Sequence, residues 1–109
     1  MWKFHKKRLW PFYPWMNKDS LIAKIEAYRL KKGWNKTDTP HNLAKSIFVE
    51  SAELLECFTN ELKTQEDIES ELADVLMYAI SLANDLDLDI EEIIEKKWED
   101  VDKRYKDVD

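Results

Sequence analysis

The stretch TPHNLAKSIFVESAELLECF, residues 39–58, decides the fold. Thr39 and Pro40 have the form of a helix start, an N-cap hydroxyl followed by proline at the first helical position. At about 100° per residue, the apolar side chains that follow share one arc of a helical wheel; they are Leu43, Ile47, Leu54, Cys57 and Phe58. This pattern predicts an amphipathic helix that runs to about Asn60.

A shorter helix precedes this one. It is expected from about Ser20 to Lys32, with Asp19 as its N-cap and Gly33 just past its end, where glycine is a favoured terminator. Its apolar side is expected to consist of Leu21, Ile22, Ile25 and Tyr28.

Two more helices begin at capping-box-like sequences, Thr64-x-x-Asp67 and Asp89-x-x-Glu92, and run to about residues 86 and 105. Short connections favour antiparallel neighbours. Apolar side chains cover more than half of the third helix, so we expect that helix to be largely buried; they are Ile68, Leu72, Val75, Leu76, Met77, Ala79, Ile80, Leu82, Ala83 and Leu86. The sequence therefore predicts an all-α fold with a four-helix bundle core.

Length and composition agree with one small helical domain. The chain has 109 residues, 37% of them charged, with one glycine and three prolines, a balance that suits long solvated helices rather than β-turns. Its 44% of hydrophobic residues is too much for a disordered chain. Because a domain of this size buries only about two-thirds of its unfolded surface, we expect copies of the chain to assemble.

The charge is unevenly distributed. The formal net charge is −6, yet residues 1–15 carry four basic residues and no acid, so the remainder stands at −10. Such a body repels phosphate backbones, and general nucleic-acid binding is not expected.

No run of about 18 apolar residues is present for a membrane span. The single cysteine, Cys57, cannot form an internal disulfide, which fits a reducing cytoplasm.

Residues 1–16, MWKFHKKRLWPFYPWM, form a basic, aromatic-rich extension that we separate from a helical domain at residues 17–109. Pro11 and Pro14 break any helix there. The extension is interpreted as an upstream addition with Met16 as the functional start, or as an arm that buries its rings on a neighbouring subunit. Contact with a membrane surface or a nucleic acid is a third interpretation.

Two acidic pairs point to chemistry. Glu50 falls inside the apolar arc of the second helix, with Glu53 one turn on at its edge, and a carboxylate facing a core is costly unless it is neutralised, paired or bound to metal. Glu71 and Asp74 share a narrow polar strip of the third helix at i, i+3 spacing. The same strip includes Tyr78 and Asp85. In a chain with 23 acids, either pair alone is also consistent with a solvated face.

If the two pairs face each other, each close pair of carboxylates repels by about 3 kcal/mol at ~6 Å with an effective dielectric of ~20. A hard divalent cation compensates that repulsion, and Mg²⁺ combines a few carboxylates with waters and substrate phosphates. Zinc is not expected, because the available imidazoles and thiol have no ligand spacing among them; they are His5, His41 and Cys57.

Three further side chains are candidates for binding. Lys97 lies on the apolar side of the fourth helix, among Ile90, Ile93, Ile94 and Val101. It either neutralises a carboxylate or holds a phosphate, or its stem snorkels along the core surface. Trp34 and His41, near the turn before the second helix, either stack on a base or cap the bundle.

The string from Gly33 to Tyr105 resembles the all-α nucleoside triphosphate pyrophosphohydrolases of the MazG superfamily, whose mark is E-x-x-E, a spacer, and E-x-x-D. Here the halves read Glu50-Ser-Ala-Glu53 and Glu71-Leu-Ala-Asp74. Residues 39–58 and 69–90 are similar to the compact, dCTP pyrophosphatase-like branch and the MazG-like proteins close to it.

The resemblance implies a four-helix core assembled as a dimer or a dimer of dimers. It implies hydrolysis of a nucleotide between its α- and β-phosphates, in nucleotide house-cleaning or pool control. Lys97 would hold phosphate. The residues bordering the base and sugar pocket would be Trp34, Asn42 and Tyr78. The Mg²⁺ ligands, one of which would also orient or deprotonate the attacking water, would be Glu50, Glu53, Glu71 and Asp74.

Three positions depart from that branch: Val101 replaces a usual Asn, Asp38 a frequent His, and His41 a basic residue. These changes leave the four acids intact, but they do not fix which nucleotide is the substrate. A phosphoribosyl or damaged nucleotide is one alternative.

The alternative from another class is a non-catalytic helical assembly protein whose acidic body docks a basic partner.

Overall fold

The protein is all-α. The computed structural model describes residues 20–105, and the predicted extension at residues 1–16 lies outside them. Five helices form this part of the chain: α1 Leu21–Lys32, α2 Trp34–Thr37, α3 Pro40–Thr59, α4 Gln65–Asp85 and α5 Ile90–Tyr105. The four longer helices are those predicted from the sequence.

Side-chain caps fix where the long helices begin. Ser20 is the N-cap of α1, since its hydroxyl accepts the Ala23 N–H at 3.2 Å, so the prediction of Asp19 was wrong by one residue. Thr39 and Asp89 cap α3 and α5 as predicted, each accepting a backbone N–H three residues on at 3.1 and 3.0 Å.

Gly33 separates α1 from the short helix α2. Its φ of 75° lies in the left-handed region, where a glycine avoids the strain of a side chain. Its N–H reaches back to the carbonyls of Arg29 and Leu30. The sequence did not predict α2, because four residues are too few to show helical periodicity.

The helices α3 and α4 form the central pair, and α1 lies against α4 and α2. Leu43 is the one large side chain of residues 20–105 that is fully buried. Three small side chains complete the buried apolar core: Ala23, Cys57 and Ala83. Cys57 is therefore a packing residue, as expected, and the core is modest.

Expectations of burial on α3 and α4 were partly wrong for a single chain. Leu72 and Leu76 of α4 are 44% and 52% exposed, and Phe58 of α3 is 68% exposed. The reason is that α3 and α1 cover only part of α4, while α5 contributes no buried residue.

The buried side of α1 also differs from the predicted one. Leu21 and Tyr28 are 62% and 45% exposed, whereas Ala23, Glu26 and Arg29 are buried. Ile22 and Ile25 of the expected face are half-buried, and two charged side chains are buried beside them because they pair with each other and with α4. None of the described helices has the length and apolar character needed to cross a membrane.

Thr64 begins α4 with a reciprocal capping box. Its hydroxyl accepts the Asp67 N–H at 3.2 Å, and Asp67 accepts the Thr64 N–H at 2.8 Å, a hydrogen bond that lowers the pKa of Asp67. We predict that Thr64→Ala lowers the free energy of unfolding by about 1 kcal/mol, measured by urea denaturation. The control Thr59→Ala removes an exposed hydroxyl at the end of α3 and should change stability by less than about 0.5 kcal/mol. Equal losses in the two variants would contradict the capping role.

Candidate metal centre

The helix α3 presents Glu50 on the side that packs against α4. Glu50 lies two turns after the buried Leu43 and one turn before the half-buried Leu54. It is itself half-buried, while Glu53 is exposed. The arc that buries the apolar residues of α3 therefore carries a carboxylate, as the sequence predicted.

The helix α4 brings a second acidic pair to the same place. Glu71 and Asp74 are both half-buried. Carboxylate oxygens of Glu50, Glu53 and Glu71 lie within 4.8 Å of one another. Asp74 is not part of this group of three, but its negative charge acts on Glu50. The structure thus brings three of the four predicted ligands together and places the fourth beside them.

The crowding of these acids perturbs Glu50. The pKa of Glu50 rises to about 7, chiefly because it shares a hydrogen bond with Glu53. Partial burial, a hydrogen bond with Glu71 and the charges of Glu53 and Asp74 raise it further. A carboxyl that keeps a proton near neutral pH removes one of the repelling charges.

Glu71 has a buried oxygen without a partner in the described part of the chain. Its Oε2 atom is buried and accepts no hydrogen bond from residues 20–105. A buried carboxylate oxygen normally has a donor or a cation as its partner, since leaving it unpaired is costly. The oxygen belongs to Glu71, the α4 residue whose carboxylate lies with those of Glu50 and Glu53 on α3.

The donor set fits a hard divalent cation. Carboxylate oxygens are the ligands that Mg²⁺ and Ca²⁺ prefer, and the group contains neither imidazole nor thiolate. The unpartnered Glu71 oxygen and the elevated pKa of Glu50 both indicate more negative charge at this site than the side chains of residues 20–105 neutralise.

Tyr78 lies next to the carboxylates. Burial raises the pKa of Tyr78, and the charges of Glu50, Asp74 and Asp38 raise it further. Its side chain is half-buried one turn after Asp74. The charges of the acidic group and of Asp38, the residue before the N-cap Thr39, therefore both act on Tyr78.

The other predicted binding residues lie around this centre or away from it. Trp34 is 39% exposed on α2 and makes an edge-to-face contact with Tyr28, with ring centroids 5.7 Å apart. Asn42 is exposed in the first turn of α3. Lys97 is exposed on α5, which contacts the other helices only sparsely, and within residues 20–105 it makes no salt bridge. A single chain therefore does not bring Lys97 to the acids.

Sequence reasoning missed a buried ion cluster beside the centre. Asp85 was expected on the polar strip with Glu71 and Asp74, but Arg29 binds it through two hydrogen bonds of 2.8 and 2.9 Å. A signal was available: on a wheel of α1, Arg29 falls between Ile22 and Ile25, and Glu26 lies about 40° beyond Ile22. It is the same signal that identified Glu50, a charged residue inside an apolar arc.

The chain is similar to known proteins in sequence and in fold. A model of the MazG-like family matches residues 42–109. The crystal structure of a pyrophosphatase from Archaeoglobus fulgidus is similar, with 32% sequence identity and a TM-score of 0.69 over 78% of this chain and 88% of that chain. No curated protein matches the chain.

The perturbed carboxyl predicts how the metal-free protein responds to pH. Because the folded pKa of Glu50 is about 7 and the unfolded one about 4.3, folded Glu50 binds more protons between these values, so stability falls as pH rises through that window. We predict that Glu50→Gln in EDTA raises the melting temperature at pH 8 and leaves it nearly unchanged at pH 4. The control Glu56→Gln, an exposed acid on the same helix, should show no such pH dependence. A lower melting temperature for Glu50→Gln at pH 8 would contradict the assignment.

Proposed function

The chain belongs to the MazG-like family, and from this we propose that it is a Mg²⁺-dependent nucleotide pyrophosphatase. The proposed substrate is a nucleoside triphosphate with ribose or deoxyribose. The proposed products are the monophosphate and pyrophosphate. The observation that carries the proposal is the convergence of Glu50, Glu53 and Glu71 with an unpartnered Glu71 oxygen. Similarity to the A. fulgidus pyrophosphatase supports the class of reaction.

The four acids of α3 and α4 would hold the cation. Glu50, Glu53 and Glu71 have their oxygens close enough to act together, and Asp74 acts on the same group through its charge. A bound Mg²⁺ supplies neutralisation of phosphate charge and Lewis-acid polarisation of the phosphate oxygens. An acidic site without it would repel a triphosphate, so substrate binding depends on the cation.

The reaction itself needs little covalent participation by the protein. A water oxygen attacks the α-phosphorus in line, the bond from that phosphorus to the α–β bridging oxygen breaks, and pyrophosphate leaves with the electron pair. One of the four carboxylates orients this water and accepts its proton. The remaining task of the side chains is positioning and charge balance.

The nucleoside would lie toward α2 and the start of α3. Trp34 offers a partly exposed ring for stacking on a base. The charge of Asp38 acts on Tyr78, as do the charges of Glu50 and Asp74, and Asn42 lies in the first turn of α3. Lys97 would contact phosphate, which requires α5 to approach the acids in an assembly of chains.

We further propose that copies of the chain assemble through α3. A second row of residues, spaced alternately by four and three, runs about 120° around the helix from Glu50; it consists of Ala44, Phe48, Ser51, Leu55 and Phe58. Phe48, Leu55 and Phe58 are 76%, 65% and 68% exposed. A continuous exposed row of this kind is typical of a helix that packs on another copy.

The cellular setting follows from the substrate. Nucleoside triphosphates are cytoplasmic metabolites, and the buried free thiol of Cys57 is compatible with a reducing compartment. The acidic body disfavours polyanions as partners. The proposed role is removal of unwanted nucleotides or control of their pool.

The proposed chemistry predicts a large effect of single amide substitutions. Glu50→Gln and Asp74→Asn should each lower Mg²⁺-dependent turnover by roughly 10²-fold or more, because each removes a charge that holds the cation. The measurement is release of pyrophosphate and orthophosphate, followed separately, from each common dNTP and NTP with Mg²⁺ or EDTA. The control is Glu56→Gln, which should keep wild-type turnover. Orthophosphate with a diphosphate product would contradict attack at the α-phosphorus, and wild-type rates in both variants would remove the acids from the mechanism.

The proposed assembly predicts the mass of the protein in solution. Wild-type protein should sediment as a dimer or a larger species, and Leu55→Glu should shift it toward the monomer because a charge would be buried in the row. The control Leu21→Glu changes an equally exposed leucine on α1 and should leave the mass unchanged. A monomeric wild type at micromolar concentration would contradict assembly.

A further inference from the structure

Arg29 is the centre of a buried cluster that the proposed reaction does not use. Glu26 and Arg29 are the two charged residues of the described part that are buried, at 4% and 2% exposure. Arg29 Nη1 donates to Glu26 and to Asp85 at 3.0 and 2.9 Å, and Nη2 donates to the other Asp85 oxygen at 2.8 Å. Nη2 also lies 3.7 Å from Asp38 Oδ2.

One guanidinium therefore joins three parts of the fold. Arg29 is on α1, Asp85 is the last residue of α4, and Asp38 is the junction between α2 and α3. Glu26 is held in turn by the side-chain amide of Asn84. The bidentate fork fixes direction as well as distance, which a lysine in the same place would not do.

The cluster is expensive as a source of stability alone. Burying an arginine with several acids carries a desolvation penalty, and well-packed apolar residues often give equal or greater stability. Burial opposes the charge of Arg29, but the hydrogen bond to Asp85 and the three nearby carboxylates hold its pKa above the usual value. What such a fixed charge contributes is a defined arrangement of the elements it joins.

The element held through Asp38 borders the acidic centre. Burial raises the pKa of Tyr78, and the charges of Glu50, Asp74 and Asp38 raise it further. Asp38 closes α2 with a 2.8 Å hydrogen bond from its N–H to the Trp34 carbonyl. Trp34 in turn contacts Tyr28, the neighbour of Arg29 in the chain. The segment 34–38 is thus tied to α1 at both of its ends.

We propose that Arg29 is a positioning residue for nucleotide binding: through Asp38 it holds segment 34–38 beside Tyr78 and the carboxylates, so that substrate affinity depends on an ion pair that does not touch the substrate. The inference rests on the proposed function for its consequence in catalysis. Its structural half, that the pair holds the segment, stands on the contacts alone.

Asp38→Asn is the variant that separates positioning from folding. It removes the Asp38 charge but leaves the fork between Arg29 and Asp85 in place, so the melting temperature should change little. With hydrolysis of the best nucleotide as the assay, KM should rise about tenfold and kcat stay within about twofold, the pattern of lost binding rather than lost chemistry. Asp38→Glu, which keeps the carboxylate, should recover most of the affinity. The control Asp102→Asn removes an exposed acid on α5 and should leave KM unchanged.

Hydrogen exchange provides a readout that needs no activity. In metal-free protein, the amides of residues 34–38 should exchange faster in Asp38→Asn than in wild type and Asp102→Asn, while those of α3 and α4 stay protected. Unchanged exchange in segment 34–38 would overturn the holding role. Faster exchange with an unchanged KM would overturn the role in affinity. A wild type that hydrolyses no nucleotide would instead refute the proposed function, and with it the catalytic consequence, while the exchange result still decides the structural half.

Discussion

Repulsion among the carboxylates that α3 and α4 bring together is the constraint on which the rest of the structure depends. Burying one leucine contributes about 2 kcal/mol, and Leu43 is the one large side chain fully buried among residues 20–105. One close carboxylate pair opposes this with a comparable energy, about 3 kcal/mol. The protein alone relieves the repulsion by keeping a proton on Glu50, whose pKa is about 7. A bound divalent cation would relieve the repulsion while the carboxylates stay charged. The stability of the α3–α4 pair and the proposed activity would then depend on the same cation.

The middle and the end of α4 balance their acidic side chains in different ways. Near its middle, Glu71 and Asp74 face the acids of α3, and no salt bridge within residues 20–105 pairs them with a lysine or an arginine. At its end, Asp85 is neutralised by Arg29, which belongs to the protein. The first arrangement leaves a buried oxygen without a hydrogen-bond partner among residues 20–105, whereas the second fixes the elements around it. This difference separates the proposed centre from its supporting structure.

The sequence was sufficient where local chemistry decides. Caps at Thr39, Thr64 and Asp89 and the terminator Gly33 predicted the long helices, and the inward position of Glu50 predicted the acidic group. Burial was harder to predict because periodicity shows that a face is apolar, not which neighbour covers it; Leu72 and Leu76 stay exposed in one chain. Lys97 illustrates the same limit, since its environment depends on where α5 lies. The Arg29 cluster required knowing that α1 packs on the end of α4.

Binding of Mn²⁺ followed by electron paramagnetic resonance tests the central claim most directly, because Mn²⁺ occupies the oxygen-rich sites that suit Mg²⁺. The account predicts that wild-type protein removes the signal of free Mn²⁺, that excess Mg²⁺ restores it, and that Glu71→Gln binds far less, while Glu56→Gln binds as the wild type does. Equal binding by wild type and Glu71→Gln, or no binding by wild type, would contradict the claim that these carboxylates form a divalent-cation site.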